Sequence, residues 1–107
     1  MEHYYDEEIE KVEKVGANLN EKYQYILRRM NLDAPMCTKN RELLTAWHDE
    51  VIHRYHQIGF AAECDITPAL AGLAPPKIEI VGRLSDHEFD FDKKKWEVLK
   101  SRENGKG

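Results

Sequence analysis

The chain reads as a small α+β domain. A long N-terminal helix and a second helix form an antiparallel hairpin, followed by a β-hairpin with a Pro/Ala-rich loop and a short C-terminal helix. Three observations predict this class. Apolar residues recur at helical spacing through the first third of the chain, and again around Trp47. Beyond Gly59 the pattern switches to alternation with a period of two, in two segments separated by prolines. With 107 residues, a single domain spanning 1–107 is expected, since domains commonly run about 50–250 residues.

In the first helix, expected over about residues 3–31, Tyr5, Ile9, Val12, Gly16, Leu19, Tyr23, Ile26 and Met30 are spaced 4, 3, 4, 3, 4, 3, 4. That is a heptad seam of coiled-coil type, with Gly16 the one position lacking a side chain. A competing reading breaks the helix there, with Asn18 capping a new start and Glu21 reaching back. A continuous helix of about 29 residues is roughly 43 Å long, against a radius of gyration of about 13 Å for a compact domain of this size. Its N-terminal seam would overhang and need another surface, which points to a homodimer.

Asp33-Ala34-Pro35 ends the first helix, because the residue before proline disfavours helical geometry. Thr38 is placed to cap a second helix over about residues 39–58, closed by Gly59. At about 100° per residue, Leu43, Trp47, Val51, Tyr55 and Ile58 share one stripe, and Asp49, His53 and His56 share the opposite face.

In "FAAECDIT", Phe60, Ala62, Cys64 and Ile66 alternate with polar positions. In "KIEIVGRL", Ile78, Ile80 and Leu84 do the same. Facing strands are expected to pair Glu63 with Arg83, because like charges directly opposite destabilise a sheet. Gly82 in the second strand marks a bulge or a close backbone approach. The intervening "PALAGLAPP" is read as a stiff, apolar, non-helical loop presenting Leu70 and Leu73. The final helix is expected over about residues 93–103, capped by Asp90 or Asp92, with Trp96 and Leu99 turned inward and residues 104–107 frayed.

Composition and motifs bound the function. Apolar residues at 41%, charged residues at 34% and no long apolar run describe a charged, non-membrane chain with an acidic start unlike a signal peptide, so the expected location is the cytoplasm. Cys37 and Cys64 lack partners at metal-ligand spacing and read as reduced thiols. A net charge of −4 disfavours nonspecific nucleic-acid binding. The charge is nonetheless uneven: residues 1–15 hold six acids to two lysines, and residues 93–107 hold six basic groups to two acids.

No nucleophile elbow or phosphate loop is present, and the strand acids lack the lysine of a nuclease site, Val81 standing in its place. No cofactor is expected. Asp49, His53 and His56 could reach one metal ion, since imidazole and carboxylate suit zinc or iron, but one helix face supplies only three ligands and no second shell. A small metal-dependent hydrolase is one alternative. A DNA-associated accessory protein using Lys93, Lys94 and Lys95 is another.

The leading expectation is a non-enzymatic protein-interaction or accessory protein, of the kind common in phages and mobile elements, acting as a homodimer that binds an unidentified protein partner. Its expected contact residues are Tyr5, Ile9, Val12, Leu19, Tyr23, Leu70 and Leu73.

Overall fold

A computed structural model describes residues 2–99. Helix α1 spans Glu2–Arg29 and α2 spans Thr38–Gln57. Strand β1 (Phe60–Asp65), a four-residue helix α3 (Thr67–Leu70) and strand β2 (Lys77–Arg83) follow. After a single 3-10 turn at Leu84–Asp86, β3 (His87–Asp90) and β4 (Lys95–Val98) close the described chain. The fold is α+β, with two separate antiparallel strand pairs, β1–β2 and β3–β4.

Helix α1 runs unbroken through Gly16. Asn18 does not cap a new helix; its Oδ1 accepts a 2.6 Å hydrogen bond from Arg54 of α2. Tyr55 lies against Gly16, where a Cβ would be 3.4 Å from its hydroxyl, an ordinary van der Waals contact. Contacts between the helices run in opposite order along the chain, Lys22 to Glu50 and Asn18 to Arg54, which makes them antiparallel. The core joins Val15, Leu19 and Tyr23 to Leu44, Trp47, Val51 and Tyr55. The Trp47 indole N–H donates to the Leu19 carbonyl at 2.9 Å, and the Tyr23 and Trp47 ring centroids lie 5.1 Å apart. The buried stripe of α2 is therefore Asn40, Leu44, Trp47, Val51 and Tyr55, with Leu44 in place of the expected Leu43.

The helix connection is organised from within. Asn40 is fully buried, and its Oδ1 accepts the Asn31 N–H at 2.8 Å. Its Nδ2 donates to the carbonyls of Asn31, Ala34 and Pro35 at 2.8, 3.3 and 3.2 Å. One buried amide thus satisfies backbone groups that a tight, water-poor turn would otherwise strand. Thr38 is the first helical residue and not the cap; Cys37 occupies the cap position with no side-chain hydrogen bond, and its carbonyl accepts from Arg41. At the far end Gly59 takes φ 91°, the left-handed geometry glycine adopts freely, and turns the chain into β1.

Four sequence expectations change on the strands and loops. Glu63 faces Glu79, not Arg83, while Asp65 faces Lys77 and Phe60 faces Arg83. An irregularity between Ala61 and Ala62 lets both alanines be buried and sets this register. Glu63 and Glu79 are exposed, so water screens their repulsion. The Pro/Ala segment does contain a helical turn, because Pro68 sits at its start, where a missing N–H costs nothing. The Asp65 carboxylate accepts the Thr67 N–H at 3.0 Å and closes that turn. Leu70 packs against the core, whereas Leu73 is 82% exposed.

The C-terminal helix is replaced by a hairpin over residues 93–98: Phe89 faces Trp96 and Asp90 faces Lys95. Asp90 caps its turn, accepting from the N–H groups of Asp92 and Lys93, and Lys94 takes φ 57°. Consecutive lysines in a first helical turn would oppose the helix dipole, and alternating aromatics suit a strand. The expected helical residues beyond 99 and the frayed tail lie outside the described residues.

The molecule is elongated, with extents of 56 × 36 × 19 Å, and α1 is its longest element. Its free end is held where Arg83 makes a paired hydrogen bond to Glu8 at 2.5 and 2.7 Å while stacking over Phe60. Gly82 matches its expected role: a Cβ there would come within 2.6 Å of the His87 ring, so close approach requires glycine.

Replacing Asn40 with Ala should destabilise the protein by about 1–3 kcal/mol in urea unfolding, because a fully buried amide and its hydrogen bonds to the backbone of Asn31, Ala34 and Pro35 are lost. A second expectation concerns acid. The Arg83 guanidinium holds the Glu8 carboxyl below its ordinary value of 4.5. A depressed folded-state pKa contributes stability present above the unfolded value and lost as pH falls through the folded one. The protection factors of amides in the first turns of α1, taken relative to intrinsic exchange at each pH, should therefore fall selectively as pH drops below about 4.5, and Glu8→Gln should show the lower protection already at neutral pH.

Candidate functional site

A groove of about 1060 Å³ lies where α2, the β1–β2 pair and the β3–β4 hairpin meet. Ile52 from α2, Ala62 and Cys64 from β1, and Phe89, Phe91 and Trp96 from the second hairpin supply its apolar surface. The aromatic rings brace one another edge to face, Phe89 to Phe91 at 5.0 Å and Phe89 to Trp96 at 5.4 Å. The Trp96 indole N–H donates to the Ala62 carbonyl at 3.1 Å, tying this hairpin to β1. Phe91 nevertheless remains 80% exposed.

Around the apolar residues stand Asp49, Glu63, Asp65 and Glu79, against Lys77 and Lys94. Asp65 is held below its ordinary value by hydrogen bonds from Thr67, then by Lys77. Burial, with the Asp65 charge beside it, pushes the Cys64 thiol up to about 11. The groove therefore combines an aromatic floor, an acid-rich margin and a protonated, unreactive thiol. Among the described lining residues that thiol is not an activated nucleophile, and the one imidazole, His48, meets the Asp49 carboxylate at 3.1 Å with no nucleophile bonded to it.

The residues singled out in the sequence scatter. Asp49, His53 and His56 are exposed on α2, and Asp49 meets the neighbouring His48 at 3.1 Å. Among the described residues no group of three His, Cys, Asp or Glu side chains is placed to hold a metal ion. Lys93, Lys94 and Lys95 lie in a turn and at the start of a strand, with Lys93 bonded to Glu97 at 3.1 Å. Leu19 and Tyr23, expected at a partner surface, are buried in the chain's own core, and Val12 packs against it. Ile9 is half-exposed over a small cleft shared with Phe60 and Arg83. The Tyr5 side chain lies outside the described residues. Cys37 and Cys64 are both free thiols. The expected final helix makes no use of Phe89 and Phe91; the strict alternation of "HEFDF" is the sequence signal for the strand that carries Phe89 into the groove. No helix among the described residues is long and apolar enough to cross a membrane.

At pH 8 the folded-state Cys64 should alkylate about a hundredfold or more slower than an unperturbed cysteine, since so little of it is thiolate. Peptide mapping with and without denaturant measures this, and equal rates in both would contradict it. No family model, curated protein or solved structure matches this chain.

Proposed function

We propose that this chain is a non-enzymatic interaction protein that works as a homodimer and receives a segment of a partner protein in the aromatic groove. The observation carrying this reading is Phe91, a large aromatic 80% exposed beside the apolar surface of Phe89, Trp96 and Ile52. Aromatic anchors in a concave apolar site, surrounded by charge, are the usual composition of a binding hot spot. Four carboxylates against two lysines around the groove suit a partner segment of mixed apolar and basic side chains. Catalysis is the weaker reading because the groove's one thiol is protonated and its carboxylates are exposed.

Recovery of the protein from its native cells tests this. Phe91→Ser removes an exposed ring and should leave circular dichroism and thermal unfolding unchanged while the co-purifying protein is lost. Undiminished recovery of the same protein by the folded variant would overturn the groove as the docking site.

A further inference from the structure

Strand β2 is hydrogen-bonded on one side only, to β1. The opposite side of the sheet, beyond β1, is where Trp96 fastens the second hairpin to the Ala62 carbonyl. Ile78 and Ile80 are each 37% exposed although they share a face with their cross-strand partners Cys64 and Ala62. The β1 half of that face is packed on the core, while the β2 half runs past it. On the other face Lys77 and Glu79 sit two residues apart with opposite charge, and Glu79 is aligned with Glu63. Among the described residues neither glutamate has an ion-pair partner.

We propose that β2 is the self-association edge: a second copy adds its own β2 antiparallel, about a two-fold axis at Ile78. This rests on the homodimer part of the function proposed above and assigns it a surface. A two-fold axis perpendicular to the sheet pairs residues whose numbers sum to twice that of the central one, so the charge pattern selects among few registers. Centring on Lys77 opposes lysine to lysine. Centring on Glu79 sets four glutamates in one row. Centring on Ile80 places Lys77 against Arg83 of the second copy.

Centring on Val81 would match Glu79 with Arg83, but the Arg83 guanidinium already grips Glu8, and His87 crowds Gly82. Only the Ile78 register sets Lys77 opposite Glu79 of the second copy, twice; among the described residues Glu79 has no ion-pair partner, and Lys77 lies between that site and Asp65 of its own β1. It relieves the Glu63–Glu79 repulsion with a neighbouring ammonium. It also makes a continuous apolar row, Cys64–Ile78 meeting Ile78–Cys64, on the opposite face. Pro76, having no N–H, falls opposite Ile80 and ends the ladder. A lone lysine on an edge strand guards against pairing. Followed two residues later by a glutamate, it specifies one partner, itself.

Light-scattering mass across a concentration series tests the pairing. Wild-type protein should reach twice the 12.5 kDa of one chain. Lys77→Glu and Glu79→Lys should each raise the dissociation constant about tenfold or more, and the double exchange K77E/E79K should restore dimers. Glu79→Lys gains an attractive partner in Glu63, so it should keep or raise the melting temperature of the single chain while losing the dimer, which separates lost pairing from lost folding. A wild-type mass of one chain, dimers indifferent to either single exchange, or a double variant that stays monomeric would each overturn the β2 pairing. Lys77 and Glu79 also border the groove, so partner capture is compared only between wild type and Phe91→Ser: a monomeric wild type that loses its partner on Phe91→Ser sinks the β2 pairing alone, and a dimeric wild type whose Phe91→Ser variant still captures the partner sinks the groove alone.

Discussion

Everything in this fold leans on the seam between α1 and α2. A two-stranded antiparallel sheet is marginal in water by itself, and this chain has two of them. Neither pair could persist without a preformed apolar wall. The wall is Leu44, Trp47, Val51 and Tyr55 of α2, held rigid because Leu19 and Tyr23 of α1 lock the far side of Trp47. β1 lies on that wall, β2 lies on β1, and the second hairpin is fastened to β1 through a single indole hydrogen bond. Order declines outward in that sequence, from a core that excludes water to a hairpin with much of its aromatic surface in contact with it.

The same layering explains why the groove lies where it does. Strands packed on a narrow helical wall extend past it, and a hairpin tied on by Trp96 cannot fill the remaining space. The result is a concavity whose floor is made of the parts of three elements that their own packing did not consume. Its chemistry follows from the same origin. Half-burial keeps the Cys64 thiol protonated, and hydrogen bonds from Thr67 hold the neighbouring Asp65 carboxyl below its ordinary value.

Much of the helical half was legible in the residues, because it is governed by local rules. The 4-3 spacing, the proline after Ala34 and the glycine at 59 act over a few positions, and α1, α2 and β1 follow them. The sequence misled where two rules compete over one segment. Lys93 to Leu99 carries helix formers after a plausible cap, yet the aromatics alternate and Asp90 caps a turn equally well; pairing of Phe89 with Trp96 decided it. The register of β1 against β2 was set by an irregularity at two alanines, which periodicity does not reveal. The 4-3 spacing does not say what covers it: α2 of the same chain takes Leu19 and Tyr23, together with Val15, which lies outside that spacing. Of the groove's lining, the sequence picks out Asp49, Ala62, Cys64, Lys94, Trp96 and the strand acids, each for another role, and passes over Phe89 and Phe91, since a groove is assembled from residues distant in sequence.

The Glu8–Arg83 bridge carries a consequence for the order of folding. Its partners are 75 positions apart, so closing it requires nearly the whole chain to be in place. The helical hairpin, by contrast, joins residues across one short connection and can form early. The bridge is therefore a last-closing latch. A chain with a collapsed helical pair but an unfinished sheet would carry a loose α1 tip, with Ile9 bared to solvent, and would present a different surface from the finished molecule.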